Sequence, residues 1–438
     1  MTRATSLFLL AASALSLGAA IIQPQQKELK PEERKLPSKV TYAEHIAPII
    51  DRSCVACHRP GAVAPFSLIG YDNAKKWSSN VAALTESRGM PPWKAVRGYG
   101  EFYDDKQLSD TEIAMIRKWY EEGTPRGDKA KEPPEPNFTS EWPLREPDLI
   151  LSPEKPFKLD AEGDDVYRNF VMKTTFDHPV WVNAMAIKPG NPKVVHHVIT
   201  FLDNNGWAKK LEAKFADGQE GYTTSGGGVG FIPSGTLGGW APGVTTRETP
   251  PGTAFLVQPG TTLVLQVHYH KSGKPEEDLT RVGLYFAKEP IKKEMQLDWV
   301  FNFGIHLPAG EKAHQESKVQ TIPADGTIYG AMPHMHLLGR QMKAWLEFPD
   351  GSTKPLVWVD DWDFNWQLTY AFKEPIHVVK GTKVHVEAIY DNSSSNPRNP
   401  NNPPKDVGWG EQTTDEMFLL ILPYTADAEK TTDNWTKG

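Results

Sequence analysis

The spacing of apolar positions changes character along the 438 residues. Behind the short cationic start Met1-Thr2-Arg3, residues Ala4 to Ile22 form an uncharged, mostly apolar run. Between about residues 40 and 127 the spacing is helical. Tyr42 to Arg52 reads as a short amphipathic helix. Ser109-Asp110-Thr111-Glu112 forms a capping box ahead of Ile113, Ile116, Trp119 and Tyr120 at helical intervals. From about Asp148 the helical period vanishes. Short alternating or apolar runs separated by Gly, Pro, Asn and Asp predict strands at 180–187, 194–201, 263–270, 282–286, 327–332, 344–348, 384–390 and 418–422. About 290 residues of this pattern exceed one ordinary sandwich, so two are expected, although no internal sequence repeat is evident.

Composition sharpens that outline. The 35 glycines and 37 prolines fit a turn-rich β body. The net charge of −7, with no long basic run, argues against a nucleic-acid partner. The first 20 residues read as a signal peptide, with small residues at Gly18-Ala19-Ala20 for cleavage, so a periplasmic or secreted location is expected. A membrane contact enters only if that segment stays uncleaved. Residues 21–39 are a polar linker. The remainder divides into a small all-α domain at 40–127, a Pro-rich linker at 128–147, and two β-sandwiches at 148–290 and 291–438. The fold class is mainly β.

Cys54-Val55-Ala56-Cys57-His58 contains the only two cysteines. Two thiols three positions apart can add to the two vinyl groups of one haem, and the adjacent histidine then serves as axial ligand. Residues 40–127 thus resemble a cytochrome c domain carrying one haem c. Met90, on the Pro-rich stretch Arg88 to Trp93, is the expected distal ligand, ahead of Met115 and His45.

The histidines cluster in the β body. His196 and His197 are adjacent in an apolar strand. His268 and His270 stand at i, i+2, as do His334 and His336. The i, i+2 spacing puts two imidazoles on one strand face. Adjacent histidines point to opposite faces, so they can share an ion only at a bend or an edge. Imidazoles combined with a thioether such as Met417 favour copper. A blue-copper site is excluded, because both cysteines belong to the haem motif. Isolated His45, His178, His306, His314, His377 and His385 read as hydrogen-bonded surface residues.

The ordered motifs VVHHV, GWAPG, LQVHY, HMHLLG and TTDEM across residues 148–438 resemble the copper type II, ascorbate-dependent monooxygenases, the family of peptidylglycine alpha-hydroxylating and dopamine beta-monooxygenases. The resemblance implies two jelly-roll sandwiches holding two copper ions. It places His196, His197 and His268 at an electron-storing copper, and His334, His336 and Met417 at the copper that binds O2 and performs hydroxylation. Gln266 would support the first site, and His270 has no family role. Two departures stand out. The body lacks the family's disulfides, and Met332, Leu419 and Ile421 occupy positions where the peptide-amidating members carry an arginine, an asparagine and a tyrosine. The substrate expected is therefore small and apolar or aromatic. The leading reading is a haem-fused dicopper monooxygenase supplied by ascorbate or a periplasmic one-electron donor. The alternatives are a non-catalytic copper and haem electron-transfer or copper-handling protein and, more remotely, a zinc hydrolase.

Overall fold

The computed structural model describes residues 36–428 apart from 137, 139, 175 and 225–227. The expected signal peptide and most of the linker after it lie outside the described residues. Among the described residues no helix is long and apolar enough to cross a membrane.

The N-terminal segment is helical where the periodicity predicted it. A π-helical turn at Tyr42–Ile46 runs into α1 (Ala47–Ser53). Then come α2 (Tyr71–Lys76), α3 (Ser78–Glu86) and α4 (Asp110–Glu121). The capping box forms: the Ser109 hydroxyl accepts from the Glu112 N–H, and the Glu112 carboxylate accepts from the Ser109 N–H at 2.8 Å. Two otherwise orphaned donors are satisfied, which fixes where α4 starts. Its inner face buries Ile116 and Trp119 against Ile46, Ile50 and Leu68, a small core of its own.

Eight strands build the first sandwich: β1 (Leu149–Leu151), β2 (Val166–Lys173), β3 (Val180–Lys188), β4 (Val195–Asp203), β5 (Gly235–Trp240), β6 (Thr253–Val257), β7 (Thr262–Tyr269) and β8 (Arg281–Phe286). One sheet has the order β1-β8-β3-β6, extended by a short parallel pairing at Lys293–Glu294, and the other β2-β7-β4-β5. Eight more build the second: β9 (Gln296–Phe301), β10 (His314–Thr321), β11 (Gly326–His334), β12 (Gly339–Glu347), β13 (Thr353–Val359), β14 (Tyr370–Val378), β15 (Lys383–Tyr390) and β16 (Leu419–Ala426). Its sheets run β9-β16-β11-β14 and β10-β15-β12-β13. Counted from one to eight within each sandwich, both have the order 1-8-3-6 against 2-7-4-5. Each pair of sheets closes on its own apolar core, around Val182, Val198, Leu265 and Val282 in the first and Ile328, Ala344, Val386 and Leu420 in the second.

The stretch between α3 and α4 leaves the helical layer and joins the second sandwich. Ala95 bridges Val359 on β13, and Phe102 bridges Phe372 on β14. The Val96 N–H donates to the Trp358 carbonyl at 2.8 Å, and the Tyr103 N–H to the Ala371 carbonyl at 2.8 Å. β13 and β14 are the outermost strands of the two sheets, so one segment covers two otherwise open edges. Ala95 and Phe102 are members of the second sandwich's core. The Pro-rich stretch at 128–147 also packs in part: Trp142 is buried on Ala184, Ala186 and Tyr285 of the first sandwich.

Candidate metal centres

The first site lies at the end of the β4–β7 pair. His197 stands opposite His268, but the register slips between Val195 and His197, so His196 is the extra residue of a β-bulge. A bulge locally breaks the alternation of a strand and re-aims a side chain. It is the bend that two adjacent histidines need to face one point. The Nδ1 atoms of His196 and His197 lie 3.1 Å apart, and those of His197 and His268 3.3 Å apart. Nitrogens this close fit ligands of one ion, and the three residues form the one such histidine group among the described residues. His196 also leaves its Nε2 buried without a partner. Burial, reinforced by the neighbouring His268, pushes His196 down to about 3, and His197 is likewise held well below the usual imidazole range. These rings stay neutral and keep a lone pair for a metal at ordinary pH.

His268 is oriented from behind. Its ring stacks on Tyr167 at 4.2 Å with the planes 9° apart, and its Nε2 meets the Asp165 carboxylate at 2.9 Å. Burial alone would raise Asp165, yet its bonds with His268, Thr413 and His270 outweigh that and hold it well below the usual carboxylate range. His270 reaches the other Asp165 oxygen at 2.9 Å and stays exposed, outside the group of three. Gln266 donates to Asn169 within the sheet.

The second site gathers around the end of β11 and the start of β16. His334 and His336 are buried, with ring centroids 5.3 Å apart and planes at 90°. Burial pushes His334 down to about 4 against a hydrogen bond with Gln367, and burial likewise holds His336 well below its usual range. The His336 Nδ1 lies 3.1 Å from the Asp415 carbonyl, which leaves Nε2 for a metal. Glu416 brings Met417 to this place. Its fully buried carboxylate accepts from the backbone N–H of His336 at 2.8 Å, Met417 at 3.1 Å and Leu338 at 2.6 Å. One side chain therefore pins the histidine segment to the methionine segment. The strand register agrees: His334 pairs with Leu419, which sets Met417 across from His336. Two imidazoles and a thioether fit a copper ion better than zinc or a hard cation.

A loop at 360–369, between β13 and β14, touches both sites. Phe364 stacks on His196 at 4.4 Å and meets His336 edge-on at 5.5 Å. Trp362 donates its indole N–H to the His336 carbonyl at 3.1 Å. At the loop's outer end Asp361 pairs with Lys94 at 2.6 Å, four residues after Met90.

In the helical segment Cys54, Cys57 and His58 follow α1 directly. The thiols are free, and burial pushes Cys54 up to about 12. His58 packs on Phe66, which stacks on Trp77, and its Nδ1 lies 3.3 Å from the Phe66 carbonyl. That leaves Nε2 as the free nitrogen for an iron. Met90 follows α3, its N–H bonded to the Leu84 carbonyl, whereas Met115 packs against the helical core. Of the isolated histidines, His314 pairs with Glu311 and Glu316, His377 with Asp427 and His385 with Glu347. Asp165, Tyr167, Phe364 and Gln367 carried no motif in the sequence. Only their positions in the fold bring them to the sites.

Residues 311–433 match the model of the copper type II ascorbate-dependent monooxygenase C-terminal domain. The matched stretch contains His334, His336 and Met417. The chain is also 24% identical over 257 residues to the human protein named "Putative DBH-like monooxygenase protein 2", covering 53% of this chain. It spans about half the length of that relative, 47%. Among solved structures, the major capsid protein P2 of bacteriophage PM2 is 10% identical, covering 66% of this chain and 99% of its own, with a TM-score of 0.26. A structure of PNGF-II is 8% identical over 66% of each chain, with a TM-score of 0.24. Scores this low bear on neither fold nor function.

Proposed function

We propose that the chain is a periplasmic or secreted, haem-fused dicopper monooxygenase that hydroxylates a C–H bond of a small substrate. The observation that carries this reading is the pairing of two unlike sites: three converging imidazoles in one sandwich, and two imidazoles with Met417 in the other. The strand order 1-8-3-6 against 2-7-4-5 in both halves supports a jelly-roll reading of each. In balance, the substrate C–H bond, O2, two electrons and two protons become an alcohol and water. Copper supplies one-electron storage at the first site and O2 activation at the second. The protein's own residues orient the imidazoles, keep them neutral and exclude water from the interval that Phe364 fills. Met332 and Ile421, paired across the sheet on the His334 face, favour an apolar or aromatic substrate.

Ascorbate or a periplasmic one-electron carrier would supply the two electrons, and Cys54, Cys57, His58 and Met90 would hold a haem c, whose chemistry is one-electron transfer. The covering of β13 and β14 by residues 95–102, and the Lys94–Asp361 pair at the head of the Phe364 loop, support a fixed position for that relay. The test is a copper and haem count on the mature protein, followed by O2-dependent product formation with ascorbate. X-ray absorption on the reduced protein should show a copper–sulfur contribution that is lost in Met417→Ala and kept in His268→Ala. Two bound coppers with no product from any reductant would favour a non-catalytic electron-transfer protein.

A further inference from the structure

We propose that Asp165 is a positioning residue that sets the tautomer and ring orientation of His268 and ties the first site to the segment delivering Met417. The inference rests on reading His196, His197 and His268 as a metal site.

The placement follows from strand register. Val166 pairs with Tyr269 and Tyr167 with His268, so Asp165 falls opposite His270 at the mouth of the same pair. Residues i and i+2 share a strand face and cross-strand partners share a sheet face, so Asp165, Tyr167, His268 and His270 all lie on one face of the sheet. Three polar contacts meet at the carboxylate. Oδ2 lies 2.9 Å from His268 Nε2 and 2.7 Å from the Thr413 hydroxyl, and Oδ1 lies 2.9 Å from His270 Nδ1. Thr413 Oγ1 in turn lies 3.5 Å from His268 Nε2. A carboxylate offers only acceptors, so the proton on His268 belongs on Nε2. Nδ1 is then the lone-pair nitrogen, and it is Nδ1 that lies 3.3 Å from the Nδ1 of His197. With the opposite tautomer the imidazole would aim a proton at the metal.

Thr413 gives the carboxylate a second role. Asp165 enters from the first sandwich, and Thr413 from the second, four residues ahead of Met417. Of the contacts here, the Asp165–Thr413 bond is the one that joins a ligand's support in one sandwich to the ligand-bearing segment of the other. Ligand-supporting carboxylates of this kind typically change metal affinity by about 10- to 100-fold when removed.

The test uses the full chain with histidine labelled in 15N. In the metal-free wild type, His268 should show a single Nε2–H tautomer. In Asp165→Ala the Nδ1–H form should become populated, and Cu(II) binding at the first site should weaken by about 10- to 100-fold. Asp165→Asn, whose amide oxygen still accepts from Nε2–H, should keep the tautomer and recover most of the affinity. Thr413→Val removes the tether, along with the hydroxyl's contacts to His268 and Tyr167, but keeps the Asp165 carboxylate on His268 Nε2, so it should leave the tautomer unchanged and weaken the first site less than Asp165→Ala. An unchanged tautomer in Asp165→Ala overturns the assignment. So does a Thr413→Val variant that loses as much affinity as Asp165→Ala, because the tether alone would then explain the effect. Failure of the metal-site reading shows separately, as a wild type that takes up no copper at its histidines.

Discussion

Phe102→Ala should detach the stretch between α3 and α4 from the second sandwich, and the cost can be worked from its surroundings. Phe102 is buried within that sandwich's core, with Tyr370 at 5.4 Å, Phe372 at 6.0 Å and Trp93 at 6.1 Å between ring centroids. Truncating a buried phenylalanine costs about 3–5 kcal/mol through lost transfer energy and the cavity left behind. The charged tie is the Lys94–Asp361 pair, whose aspartate is 60% exposed. An exposed ion pair contributes only about 0–1 kcal/mol. Packing should therefore govern the attachment and charge should hardly matter. Hydrogen exchange separates the two: in Phe102→Ala the amides of Val96 and Tyr103 should lose protection by at least about 100-fold, because about 3 kcal/mol is a factor of that size, while in Lys94→Ala they should change little. In the haem-loaded protein, electron transfer to copper should slow in the first variant and stay near wild type in the second. Equal effects, or protected amides in Phe102→Ala, would refute the argument that this core contact holds the segment in place.

Glu416→Leu should strand the buried N–H groups of His336, Leu338 and Met417, each at a cost of about 1–3 kcal/mol; the copper count should fall from two to one, with the copper–sulfur signal lost. The Cys54→Ala, Cys57→Ala double variant should lose covalent haem while both sandwiches keep their fold and copper, since neither sandwich core contains a residue of the haem motif. A double variant lacking copper would contradict this. His314 is lowered by burial but raised more by its bonds with Glu311 and Glu316. Its folded value thus lies above its unfolded one, near 6.5, and its contribution is full below about that pH and fades as pH rises through the folded value. Urea midpoints measured across that range should show a shallower pH slope in a Glu311→Ala, Glu316→Ala variant.

The sequence announced strands where alternation was strong and both neighbours were apolar. Each of the eight predicted runs falls on a strand, among them 263–270 on β7, buried along its whole length. Three of the strands that went unannounced have a visible physical reason. β10, His314–Thr321, exposes most of its residues at a sheet edge, so selection for apolar alternation is weak there. β1 and β5 are short or glycine-rich. The helical boundary at 127 was legible from Ser109 and Trp119, but the departure of residues 95–102 into another core was not, because Ala95 and Phe102 look like any loop residues until β13 and β14 are placed. The histidine clusters were legible because spacing is local. Asp165, Phe364 and Thr413 were not, because each meets a partner in a distant part of the chain, as Asp165 does His268 and Thr413, and Phe364 does His196.

The two sandwiches repeat a topology without repeating a site. In the first, the histidines come from strands four and seven, in the 2-7-4-5 sheet. In the second, they come from the end of strand three and the approach to strand eight, in the 1-8-3-6 sheet. Identical frames thus present different sheets to each other, and no shared sequence motif is needed to build them. The unlike placement also lets each sandwich complete the other's centre. The 360–369 loop of the second lays Phe364 on His196 of the first, and Asp165 of the first bonds Thr413 of the second. A site finished by a neighbouring fold is sensitive to how the two folds dock, so the docking contacts belong to the chemistry as much as the ligands do. The first sandwich expressed alone would keep Asp165 and Tyr167 on His268 but lose Phe364 from His196 and Thr413 from Asp165.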